Sequence, residues 1–360
     1  MSRSRFAVAM LAAAALIVSA PFVSRVRNSL RGTFPDHYIL ILGGIVGGSL
    51  VLALAGAVLS IRDRRWPRYA AIAAALGLGG SYSLLTSSPD PHVAAVERFH
   101  FVQYGVITFL LYRAWRPLGD AGVLILPVLA GMLVGTLEEW FQWFIPGRVG
   151  VVEDVFLNWV AIACGLLFSI GVDPPSGNVI TLSPRSLRHT GLAAALFVVV
   201  FGLFFDSVHL GQRIDDPRIG SFTSIYDADR LQAHAGDRAA RWQIDPPIDK
   251  TRLAREDQYR TEGIQHVQAR NEAWTRGDFS AAWRENLILE SYYLPVLQRG
   301  HEWPLEQRED ASRRSAAAAA AESRVFISRA YPYEVYTWPP VLFWTCVLAL
   351  ASGLLVATKS

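Results

Sequence analysis

Six polar residues in a largely apolar stretch of the chain carry the spacing that chemistry would need: His100, Glu139, Gln142, Arg148, Asp154 and Asn158. Glu139 and Gln142 are three apart, and Asp154 and Asn158 four apart, so each pair shares one face of a helix. His100, Gln103 and Tyr104 repeat at i, i+3 and i+4, with Glu97 about one turn before them. A histidine can serve as general base or ligand near neutral pH, a carboxylate can fix its tautomer, and an arginine fork suits an incoming anion. The bland alternative is interhelical glue, worth about 1 kcal/mol per contact. Glue is made at lower desolvation cost by neutral Ser, Thr or Asn, so two carboxylates, an arginine and a histidine point to a pocket. Within "EEW", Glu138 is i,i+4 and Glu139 i,i+3 from Gln142, so both share its face, and Glu153 reads as surface charge. His100, Glu139 and Asp154 form a one-His, two-carboxylate set that a hard divalent ion could use. No His-x-x-x-His or similar short motif accompanies them, and no metal or cofactor is expected.

The elements that must position these residues are apolar runs. The chain has 360 residues, 52% of them hydrophobic, and a mean hydropathy of +0.26. That is too apolar for an ordinary soluble protein of this size. A bilayer-spanning helix needs roughly 17–25 mostly apolar residues. Eight runs qualify, at about residues 6–23, 38–61, 69–86, 95–115, 121–145, 151–172, 189–205 and 340–357. The first has a basic start like a signal peptide, but Pro21 directly after Ala20 argues for a retained anchor. The fifth and sixth are joined by "PGRVG", a tight connection that sets them antiparallel and brings their polar faces to one level. The only cysteines, Cys164 and Cys346, lie in apolar runs, which excludes a disulfide framework or a cysteine metal site.

Charge gives the expected topology. Arg62, Arg64, Arg65, Arg68, Arg113, Arg116, Arg185 and Arg188 fall in alternate short loops, and the loop 87–94 has no Lys or Arg. The positive-inside rule then places both termini in the cytoplasm, against the dissent of Arg25, Arg27 and Arg31. Residues 206–338 carry 18 Lys/Arg and 21 Asp/Glu and read as a soluble helical domain outside the cytoplasm. Within it, residues 253–297 predict a helical hairpin broken at Gly277-Asp278, which resembles one repeat of the tetratricopeptide kind. Residues 311–330 predict a further helix. The fold class expected is all-α: a multi-span helical membrane protein with a helical extracytoplasmic domain. Its parts are a two-span segment at 1–68, a membrane core at 69–172, a seventh span at 173–205, the soluble domain at 206–338 and a terminal anchor at 339–360. Basic loops between apolar spans set topology and give no reason to expect nucleic acid as a partner.

Three motifs in order, "ERFHFVQYG", "EWFQWFIPGR" and "DVFLN", each on its own span, resemble the VanZ-like family of bacterial membrane proteins over roughly residues 69–172. The resemblance puts the family's signature residues on His100, Glu139, Gln142, Arg148, Asp154 and Asn158. It implies the bacterial cytoplasmic membrane and a role in the cell envelope. The family takes its name from a protein linked to resistance to the lipoglycopeptide antibiotic teicoplanin. It often has an acid at the position of Gln103 and a glycine at that of Ala161, and the first departure counts against acid/base chemistry here. The expected function is an outer-leaflet polar pocket for a lipid headgroup, a lipid-linked cell-wall precursor or an amphiphilic antibiotic. The alternatives are a membrane-embedded hydrolase or transferase on a lipid-linked substrate, with His100, Glu139 or Asp154 as candidate catalytic groups, and a scaffold whose 206–338 domain recruits a protein partner.

Overall fold

Long apolar runs satisfy their backbone polar groups internally only as helices, and the chain follows that rule. A computed structural model describes residues 3–63, 65–86, 88–145, 150–177, 179–241, 257–319, 326–331 and 333–358. It divides into two units, residues 1–142, 152–204 and 344–360 in the first, and 143–151 and 205–343 in the second.

The first unit is built from α1 (Arg3–Thr33), α2 (Tyr38–Ser60), α3 (Arg65–Thr86), α4 (Pro91–Trp115), α5 (Gly122–Trp143), α6 (Val152–Val172), most of α7 (Pro184–Val208) and most of α13 (Pro340–Ala357). Among the described residues, seven helices are long and apolar enough to cross a membrane. The eighth expected span, α4, has the length at 25 residues but falls outside this set, because Glu97, Arg98, His100 and Gln103 interrupt it. It packs instead as the unit's inner helix. Tyr104, Ile107 and Leu111 on α4 are buried with Ala9 and Ala13 of α1, Val134 of α5 and Ala161 and Ile162 of α6. The outward faces stay apolar: Leu40, Leu52, Leu59, Leu84 and Leu348 are among the exposed large side chains. The segment 24–33, expected as a loop, continues α1 as helix to Thr33, with Pro21 inside it.

Close approach fixes how the inner helices meet. A Cβ on Gly165 of α6 would lie 2.9 Å from Thr108 Cβ and 3.0 Å from Gly105 Cα of α4. One on Gly171 would lie 2.6 Å from Ile72 Cγ1 and 2.8 Å from the Arg68 carbonyl of α3. Small residues at these crossings let the backbones touch. Trp159 of α6 packs on Phe197 and Phe201 of α7, with ring centroids 5.6 Å away in each case. A Cβ on Gly202 of α7 would meet Val347 of α13 at 3.0 Å.

Among its described residues the second unit is mainly helical, with one antiparallel hairpin, β1 (Gln212–Asp216) and β2 (Gly220–Ser224), that sets Ile214 opposite Phe222. The remainder is α8 (Ala228–Arg241), α9 (Asp257–Thr275), α10 (Phe279–Tyr292), α11 (Leu294–Leu297) and α12 (Leu305–Ala319). The helical hairpin α9–α10 turns where the sequence indicates. Gly277 takes φ 79°, and the Asp278 side chain accepts from the Ala281 N–H at 3.0 Å to cap α10. Phe222, Leu231, Tyr259, Ile288, Leu289, Tyr293 and Val296 form the core. Glu262 is buried among donors: Ser224 Oγ at 2.7 Å, the Ile225 N–H at 3.2 Å and the Tyr293 hydroxyl. Burial pushes its carboxyl above the ordinary value despite these bonds. The helix expected at 311–330 is present as α12 up to Ala319 and starts earlier, at Leu305; residues 320–325 lie outside the described residues, and Ile327 bridges to Ser221 of β2.

Candidate functional site

The site lies at the end of the first unit where α4 and α6 begin and α5 closes. Asp90 starts α4 by accepting from the His92 N–H at 2.8 Å, with Pro91 as the first helical residue. Three turns later α4 presents His100 and then Tyr104, their rings stacked at 6.2 Å. On α6, Asn158 is fully buried, and its Oδ1 stands 2.7 Å from His100 Nδ1. With Oδ1 as acceptor, Nδ1 carries the proton and Nε2 of a neutral ring is left as the basic nitrogen. Asn158 Nδ2, equally buried, has no hydrogen-bond partner among the described residues.

The α5 face completes the group. Gln142 Nε2 donates to Glu138 Oε1 at 2.6 Å and to Glu139 Oε1 at 3.0 Å. One amide thus spans two neighbouring carboxylates, possible because it is i+4 from the first and i+3 from the second. The Tyr104 hydroxyl donates to Glu138 Oε2 at 3.4 Å. Glu138, Glu139 and Gln142 are all buried, and Glu138, Glu139 and Asp154 all act electrostatically on the Tyr104 hydroxyl. Gly135 permits this convergence, since a Cβ there would lie 3.2 Å from Asn158 Cβ and 3.4 Å from Tyr104 Cε1.

Of the six sequence-selected residues, the structure gathers His100, Glu139, Gln142 and Asn158 around Tyr104, with Asp154 at the same end. Arg148 lies outside the described residues. The residues missed are Glu138 and Tyr104. Glu138 was set behind Glu139, yet it makes the shorter bond to Gln142 and the bond to Tyr104. Its i,i+4 relation to Gln142 is legible in the sequence, and the resemblance alone places the signature residue on Glu139. Asp154 also borders a cleft of about 320 Å³ together with Glu97, Glu153, Tyr82 and Phe101. Glu153 is exposed there, as a surface charge would be. Among the described residues, no three His, Cys, Asp or Glu side chains are grouped as metal ligands.

No model of a known protein family matches the chain, and no curated protein or solved structure does. The fold and site therefore define a class in physical terms: a helical protein with several helices apolar enough for a membrane, and a buried acid–amide–imidazole cluster at one end of its bundle.

Proposed function

We propose that this chain is a VanZ-like cell-envelope membrane protein whose acid-rich end binds the polar head of an amphiphile. The amphiphile is a lipid headgroup, a lipid-linked cell-wall precursor or a lipoglycopeptide-type antibiotic, all of which join hydrogen-bonding polar groups to an apolar anchor. The observation that carries the reading is the fully buried Asn158 amide. Its oxygen holds His100, its nitrogen is left over, and a cleft of about 320 Å³ lies at the same end. A buried donor without a partner costs about 1–3 kcal/mol, which a bound acceptor would relieve. In this reading Gln142 and Asn158 bond the head, Glu138 and Glu139 orient Gln142 and Tyr104, and Arg148 is assigned the anionic group by sequence pattern alone. The eight-span topology belongs to the same proposal: α4 counted as a span among its neighbours, both termini in the cytoplasm and residues 206–338 outside. Bacteria producing the protein should tolerate more teicoplanin than the vector control, and Asn158→Leu and Arg148→Ala should each remove the difference. Unchanged susceptibility in wild type and variants, with no envelope lipid retained on purification, would sink the proposal.

One observation favours a second reading, a hydrolase or transferase acting on a lipid-linked substrate. The Asn158–His100 bond leaves Nε2 as the basic nitrogen, the orientation a general base requires. Turnover of a lipid phosphoester lost in His100→Ala would select this reading over simple binding.

A further inference from the structure

The opposite end of the first unit, where α3 begins and α4 and α6 end, carries Arg5, Arg68, Arg113 and Arg116 among its arginines. Two are committed to the protein. Arg68 Nε donates to the Gly171 carbonyl at 2.9 Å, and its other nitrogens reach the Val172 carbonyl and Asp63. Arg116 pairs with Asp173 at 2.8 Å and donates to the Pro174 carbonyl. The other two, Arg5 of α1 and Arg113 of α4, have no carboxylate partner among the described residues. Both line one cleft of about 240 Å³ between α1 and α4, with Ser4, Val8 and Leu110. The Arg113 guanidinium otherwise rests over the Phe109 ring, 5.7 Å from its centroid. Val8 is 53% exposed, so the apolar wall is open outward.

We propose that this cleft binds the phosphate of an anionic phospholipid. Two guanidinium forks on adjacent helices repel each other until an anion lies between them, and a phosphate accepts from both. Val8 and Leu110 supply an apolar strip along which an acyl chain runs. A free phosphate ion offers the same charge but leaves that strip unused, so the occupant is the lipid. Basic clefts between membrane helices are suited to acidic headgroups, with each basic residue near the surface contributing a similar increment. This site is distinct in residues and in charge from the acid-rich end and does not depend on the function proposed for it.

The test titrates the purified full-length protein with phosphatidylglycerol and, separately, phosphatidylcholine, counting bound lipids by native mass spectrometry. Phosphatidylglycerol should bind the more tightly. Arg5→Gln, at an exposed position that the fold does not need, and Arg113→Gln should each weaken it about fivefold. Arg62→Gln, a second exposed arginine that does not line the cleft, should leave it unchanged. Equal binding of the two lipids, undiminished binding in Arg5→Gln and Arg113→Gln, or an equal loss in Arg62→Gln would overturn the proposal. Displacement of phosphatidylglycerol by inorganic phosphate alone would overturn the lipid as occupant.

Discussion

The two ends of the first unit's helical bundle use charge in opposite ways. At the arginine-rich end, Arg68 and Arg116 are spent on helix termini: their acceptors are the carbonyls that α6 and the residues after it leave over, together with Asp63 and Asp173. Such carbonyls need donors in any helix that ends inside a protein. At the acid-rich end no helix terminus explains the arrangement. Glu138, Glu139 and Gln142 sit in the last turns of α5 but bond one another and Tyr104, and Asn158 lies inside α6 and holds His100. The lesson is that a buried charge which caps a helix is accounted for by the fold, whereas a buried cluster that answers only to itself asks for a ligand.

If that contrast holds, substitutions at the arginine end cost stability and those at the acid end cost binding. The largest loss should come from Gly171→Ala, where the new Cβ meets the Arg68 carbonyl at 2.8 Å and Ile72. Backbone cannot move aside as a side chain can, so we expect about 3 kcal/mol of destabilisation by thermal unfolding in detergent. Gly135→Ala at the acid end, whose nearest contact is 3.2 Å, should cost less than half of that. Arg68→Met should cost about 2 kcal/mol, because it strips donors from the Gly171 and Val172 carbonyls. Equal stability of Arg68→Met and wild type would break the structural half of the comparison. His100→Ala should cost about 1 kcal/mol, one hydrogen bond to Asn158, while removing ligand retention altogether. The smallest effect lies in the second unit. Glu262 has a folded carboxyl raised above its ordinary 4.5, so the folded state holds its proton more tightly than the unfolded chain. Stability from this group is then full below the ordinary value and falls as pH rises toward the raised one. Glu262→Gln should flatten that decline in a melting series, and an unaltered slope would show that another group sets it.

Much of the helical architecture is legible because its signals are local and redundant. Apolar runs of 20 residues have few alternatives, and Gly277 followed by Asp278 supplies both a left-handed stop and a cap. What escapes the sequence depends on partners far along the chain. The hairpin 212–224 lies in a domain expected to be helical, and Arg213, Asp215, Asp216 and Arg218 dominate its composition. It is a strand pair because Ile214, Ile219 and Phe222 are buried against distant Tyr292 and Leu231. Ile327 bridges to that hairpin for the same reason, although its neighbourhood favours helix. The continuation of α1 to Thr33 runs through Pro21, which interrupts a soluble helix more readily than one in a membrane. At the site, helical spacing suffices to put Gln142 near both Glu138 and Glu139, but not to tell which bond is shorter. That choice is made by Tyr104 on α4, whose approach depends on Gly135.

The central claim, that the acid-rich end holds an amphiphile and is not merely glue between helices, is tested most directly by native mass spectrometry of the full-length protein purified from bacterial membranes, wild type beside Asn158→Leu. The account predicts an envelope lipid or lipid-linked precursor retained by the wild type and lost from the variant, with the melting temperature within about 4 °C of wild type. Identical retained lipids in both proteins, or a variant that loses its lipid only by unfolding, would contradict it.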